Sequence, residues 1–100
     1  MLPLGQDNLR DALSQLRGWI GDAIEIRRTL RLDDSEHAAF TERIKVVSDA
    51  MQMRPDVRRL DGYTQIRVRT GDGGALTAGE VALAARIEAA YRTVVSPRIS

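Results

Sequence analysis

The stretch DAMQMRPDVRRLDGYTQIRVRTGDGGALT, residues 49–77, decides the fold. Its first residues end a helix. Pro55 stops that helix, because proline lacks the amide donor and its ring clashes with the preceding turn. Asp61-Gly62 lies between Val57–Leu60 and Tyr63–Thr70, which predicts a two-residue β-hairpin turn. In the second strand Ile66 and Val68 point one way, while Gln65, Arg67 and Arg69 point the other. Gly71, Gly73 and Gly74 form a flexible loop, and Thr77 stands three residues before Glu80, the spacing of a capping box. The order within the stretch is therefore helix end, proline stop, hairpin, glycine loop and helix cap.

Working outward, Phe40, Ile44, Val47 and Met51 form the apolar stripe of the helix that precedes the stretch. Asp33, Asp34 and Ser35 offer N-cap chemistry, and Glu36 completes a capping-box spacing with Asp33. From Ala23 to Leu32 the period is two. Ile24, Ile26, Leu30 and Leu32 share one face, interrupted by Arg28, and Glu25, Arg27, Thr29 and Arg31 share the other. Gly21-Asp22 is a turn signal and Trp19-Ile20 a very short apolar element. A first helix is predicted over Asp7–Arg17, ended by Gly18. A last helix is predicted from the Thr77 cap to about Val94, stopped at Ser96-Pro97. The order α-β-β-α-β-β-α, with strands apolar on one face only, predicts an α+β fold. Its four-stranded antiparallel sheet has helices packed on one face.

A chain of 100 residues is read as one domain, 1–100. It has no cysteine, which excludes thiol chemistry, disulfides and cysteine-bound metal, and a single histidine, His37, which makes a poor transition-metal site. No metal and no cofactor is read from the sequence. No apolar run reaches the length of a membrane span, and the N-terminus lacks a basic region before an apolar one, so neither a membrane segment nor a signal peptide is predicted. A cytoplasmic location follows as the expectation. Net charge is +1, which argues against direct nucleic-acid binding. Of the fifteen basic residues only Lys45 is lysine. Arginine suits bidentate carboxylate contacts, although a GC-rich genome gives the same bias.

The ordered spacing from Asp33 to Ala84 resembles the pterin-4a-carbinolamine dehydratase family. The resemblance rests on Gly18-Trp19, Asp33, Asp49, Pro55-Asp56-Val57 and Thr70 through Leu76. In that family an acidic residue is followed four positions later by two histidines and a proline, and a third histidine follows the hairpin. Here the acidic residue is Asp49 and the proline Pro55. The histidine positions hold Met53, Arg54 and Gly71. Histidine serves such chemistry because its pKa lies near working pH. Met53 carries no proton, Arg54 keeps its own, and Gly71 has no side chain. His37 stands about four helical turns before Met53, ~24 Å by the helical rise. The resemblance thus implies the fold together with a degenerate pocket of Asp49, Met53, Arg54, Pro55 and Gly71, and no catalytic residue.

Several constellations bear two readings. Asp49 is either a hydrogen-bond acceptor for a bound ring or a solvated carboxylate in the last turns of a helix; without partner groups the second is favoured. Arg27, Arg31, Arg67 and Arg69 alternate outward on two strands. If the strands are neighbours, four guanidinium groups crowd one face and suit an anionic partner, unless Glu25 and other acids balance them. Arg54, Arg58 and Arg59 are read as local ion pairs with Asp56 and Asp61. Gly71-Asp72-Gly73-Gly74 lacks the lysine and serine of a phosphate loop and is read as a connection.

Three functions compete. The first is a non-catalytic binding or assembly protein. Degenerate relatives of this kind include the Rubisco assembly factors of α-carboxysomes, which implies a protein client, the Rubisco large subunit, and association with the carboxysome. The second is a 4a-hydroxytetrahydrobiopterin dehydratase with an atypical site, dependent on Asp49 or Asp61. The third is a dimerisation cofactor of a transcription factor. Exposed strand edges and family habit imply a homodimer or homotetramer under all three.

Overall fold

The computed structural model describes residue 11, residues 16–70 and residues 74–99, the last four of these by backbone alone. The helix predicted over Asp7–Arg17 falls mostly outside the described residues. The elements run β1 (Ile20–Gly21), β2 (Glu25–Arg31), α1 (Asp34–Met51), β3 (Asp56–Leu60), β4 (Tyr63–Arg69) and α2 (Ala78–Ile99). The strands form one antiparallel sheet in the order β1-β2-β4-β3. This is the α+β architecture the alternating strands predict.

Local chemistry explains the boundaries. Asp33 caps α1 by accepting the Glu36 amide at 2.7 Å, and the Glu36 carboxylate accepts the Asp33 amide at 3.0 Å. Such a cap stabilises a helix by ~1 kcal/mol. The β3–β4 turn falls on Asp61-Gly62, with Leu60 opposite Tyr63 and Gly62 at φ +74°, a conformation open to glycine. Glu80 accepts both the amide and the hydroxyl of Thr77, at 2.6 and 2.7 Å, at the start of α2. That helix runs past Val94 and through Ser96-Pro97 to Ile99. A proline forfeits one amide bond to the carbonyl four residues back and crowds the preceding turn. Only two helical residues follow Pro97, so the missing bond interrupts the last turn of α2 without ending the helix at Val94.

The core lies between one sheet face and the two helices. Ile26, Leu30, Ile66 and Val68 come from the strands, Phe40 and Ile44 from α1, and Leu83, Ala84 and Ile87 from α2. Full burial of a side chain such as Phe40 contributes roughly 1.5–3 kcal/mol. Ile24 departs from its predicted face and is 47% exposed. The Asp22 carboxylate accepts the amides of Ile24 and Glu25 at 2.8 and 3.0 Å, so the chain is still turning there and β2 begins one residue later.

Candidate functional site: a helix-end cleft and an arginine-bearing sheet face

Helix α1 ends in a left-handed turn at Gln52, φ +55°. The Met53 amide donates to Ser48 O at 3.0 Å, and the Gln52 amide to Asp49 O at 3.3 Å. Together these two bonds make a Schellman motif. The motif throws the next residues over the helix end, where Ser48, Asp49, Gln52, Met53 and Arg54 line an open cleft of roughly 210 Å³. Asp49 and Arg54 are exposed, Met53 and Pro55 half-buried. Met53 packs against the core, as the residue after a Schellman turn commonly does. Three of the five predicted pocket residues, Asp49, Met53 and Arg54, therefore line this cleft; Pro55 follows it in the chain and Gly71 lies outside the described residues. Chemically the cleft offers the Asp49 carboxylate, the Arg54 guanidinium, the Gln52 amide and the Met53 thioether, with the Ser48 hydroxyl donating to Ile44 O. His37 is remote in sequence and engaged elsewhere, its Nδ1 lying 2.8 Å from the Thr64 hydroxyl.

The second candidate is the sheet face turned away from the helices. Strands β2 and β4 are neighbours, and Arg27 stands directly opposite Arg67. Across the strands, Ile20, Arg27, Arg67 and Asp56 make one row, Thr29, Gln65 and Arg58 the next, and Arg31, Tyr63 and Leu60 a third. Arg69 faces Glu25 at one end. Arg27, Arg31, Arg67 and Arg69 thus share one face as predicted. Arg58 joins them; the two-residue turn sets a register that puts it two positions from Leu60 on the same face.

The acids distribute themselves differently from the local pairing expected. Asp56 lies 4.0 Å from Arg67 and 3.8 Å from Arg69, across the sheet. Arg59 pairs with Asp34 at 2.8 Å and donates to Leu32 O and the Thr64 hydroxyl. Its neighbours in sequence point to the other face, so local pairing loses to cross-strand geometry. Asp22 is held below its ordinary value of 3.8 by the Ile24 and Glu25 amides and, more weakly, by Arg27.

A third polar group lies on the helix-facing side. Glu88, on α2, accepts from Trp19 Nε1 at 2.9 Å and from Arg28 Nε at 3.0 Å through the same oxygen. The Arg28 guanidinium also sits 5.7 Å from the Tyr91 ring centre, and Tyr91 meets Phe40 edge-on at 6.2 Å. Gly18, at φ +88°, lets the chain pass beside Arg28; a Cβ there would run into the guanidinium. This cluster holds β2, the Trp19 turn and α2 together. The sequence signals it only as the basic residue that interrupts an apolar strand face.

No helix among the described residues is long and apolar enough to cross a membrane. The family model for pterin 4 alpha carbinolamine dehydratase matches residues 2–90. A protein of Sulfurisphaera tokodaii named "Putative pterin-4-alpha-carbinolamine dehydratase" is 27% identical over 89 residues, 88% of this chain and 96% of its own. One of the same name from Chromobacterium violaceum is 29% identical over 91 residues, 90% of this chain and 84% of its own. The fold matches the crystal structure of a transcriptional coactivator/pterin dehydratase from Brucella melitensis with a TM-score of 0.80. That match is 17% identical and covers 90% of this chain and 99% of the other. With the sheet order, the helix-end cleft and a family match along nearly its whole length, this chain belongs to the pterin-4a-carbinolamine dehydratase family.

Proposed function

We propose that this chain is a non-catalytic, protein-binding member of its family, an assembly factor whose client is the Rubisco large subunit. One observation carries the non-catalytic part. Met53 and Arg54 stand at the end of α1 in the places where the family resemblance puts acid-base histidines. Dehydration of a carbinolamine needs a proton delivered to the leaving hydroxyl and another removed from nitrogen. A thioether does neither, and a guanidinium does not release its proton near neutrality. Each general acid or base lost lowers the rate by ~10²–10⁴. Met53 has instead a packing role, seated on the core by the Schellman turn. Degenerate relatives that assist Rubisco assembly supply the client. Self-association as a dimer or tetramer belongs to the same proposal, because β3 leaves one edge unpaired within the sheet.

The relatives are named as dehydratases, so the decisive assay is turnover. The purified chain should dehydrate a pterin 4a-carbinolamine no faster than buffer. Turnover well above buffer that disappears in Asp49→Ala would defeat the proposal in favour of an atypical enzyme. For the client, the chain should retain Rubisco large subunit in a pull-down and raise the yield of assembled Rubisco on co-expression. Failure of both would remove that client.

A further inference from the structure

We infer that the open face of the sheet is a docking surface for an acidic segment of a client protein, gripped by Arg27 and Arg67 and anchored at Tyr63 and Leu60. The inference rests on the protein-binding reading above and adds the surface and the chemistry of what it holds. Among the described residues, Arg27, Arg31, Arg58, Arg67 and Arg69 share this face with Glu25 and Asp56, and Asp22 lies near enough to Arg27 to feel its charge. The chain as a whole has a net charge of +1, so the positive charge is concentrated here rather than spread. Arg27 and Arg67 are directly opposed, which places their Cβ atoms about 5 Å apart. Two like charges so close repel one another; Asp56, 4.0 Å from Arg67, and Asp22, beside Arg27, offset this at the outer sides of the pair, and a carboxylate laid between the two guanidinium groups adds charge-assisted bonds to both. Beside them, Tyr63 is 44% exposed and Leu60 40%, opposite one another in the row of Arg31. Tyrosine and arginine are the side chains that most often dominate protein interfaces.

These features choose among occupants. A second copy packed face to face would set the same arginines against each other, so charge opposes self-association through this face. Nucleic acid suits an uninterrupted basic track, whereas Glu25 and Asp56 stand within the row pattern and apolar side chains lie exposed beside it. An acidic protein segment with one apolar residue matches both features. Arg27 and the Tyr63 row are four strand residues apart, ~13 Å by the strand rise. The segment therefore carries its carboxylates and its apolar residue about four positions apart if extended.

The test uses the full chain and a fluorescein-labelled synthetic peptide with two adjacent glutamates and a phenylalanine four residues on. Its controls are the same peptide with glutamines for glutamates and a single-stranded oligonucleotide. The wild-type chain should bind the acidic peptide and not the glutamine version. Arg27→Glu/Arg67→Glu should weaken binding on the order of tenfold or more. The same charge change on the exposed helix side, Arg43→Glu/Arg86→Glu, should alter it by less than about threefold. Circular dichroism checks folding, and Arg27→Gln/Arg67→Gln replaces the reversal if that variant does not fold. Equal loss in both double variants, tighter binding of the oligonucleotide, or no binding of the peptide by the wild type would each overturn the inference. The peptide readout is independent of pterin turnover and of Rubisco capture, so it decides the face whichever way those assays fall.

Discussion

Arg27 and Arg28 are consecutive on β2, yet the pleat sends them to opposite sides of the sheet. Arg28 enters the protein, where Glu88 and the Tyr91 ring meet it and Trp19 shares its carboxylate partner. Arg27 points outward and faces another arginine. The two sides treat polar groups by different rules. On the helix side the polar side chains are answered at fixed geometry: Thr64 meets His37 and Arg59, and Ser48 donates to Ile44 O. Among the described residues no buried side-chain nitrogen or oxygen is left without a partner there. On the open side, positive charge exceeds what the acids of that face neutralise. The lesson is that one side of the sheet is built for its own stability and the other retains electrostatic repulsion that folding alone does not need.

The largest effect should come from breaking the buried side. Glu88→Ala strands both Arg28 and Trp19 Nε1. Loss of one partner of a buried ion pair costs ~3–5 kcal/mol. The Arg28 side chain keeps 21% exposure and water can partly rescue it, so the lower end is expected, read as a fall in the urea midpoint at unchanged slope. Glu88→Gln should lie between wild type and Glu88→Ala, since it still accepts from both donors.

A smaller loss is expected from Gly18→Ala. The new methyl group must displace the Arg28 guanidinium, and φ +88° disfavours any side chain. Together these cost ~1–2 kcal/mol. Trp19 is the only tryptophan, so its fluorescence should shift to the red as its bond to Glu88 loosens. An unshifted spectrum with full stability would mean that Arg28 has room to move aside.

The smallest change in stability, and the sharpest contrast, belongs to Arg27→Gln. Removing one of two opposed like charges should leave stability unchanged or raise it by up to ~0.5 kcal/mol, with the lost attraction to Asp22 offsetting part of the gain. A clear destabilisation by urea titration would show that the open face is structural after all.

Much of this was legible in the residues. Asp33 with Glu36, and Asp61-Gly62, encode their structures within four residues, so short-range chemistry suffices to find them. Alternation along β4 placed Arg67 and Arg69 outward with no knowledge of neighbours. The Arg28 cluster was illegible because its partner lies sixty positions away, on a helix whose packing angle no local pattern contains. Asp56 departs from local pairing for a related reason: its partners Arg67 and Arg69 are neighbours across strands and not in sequence. For the candidate cleft, the resemblance points to Asp49, Met53 and Arg54, while the Schellman turn that gathers them depends on a left-handed glutamine that composition does not announce.

That turn has an evolutionary corollary. Its hydrogen bonds run entirely through main-chain atoms of Ser48, Asp49, Gln52 and Met53. The turn itself is thus held by main-chain bonds, with the core contact of Met53 added to it and the side chain of Arg54 left outside it. At exposed position 54 an imidazole would cost folding little, whereas at position 53 it would have to replace the contact of Met53 with the core. A lineage with this helix terminus can therefore vary the exposed side chain at position 54 while its backbone path holds.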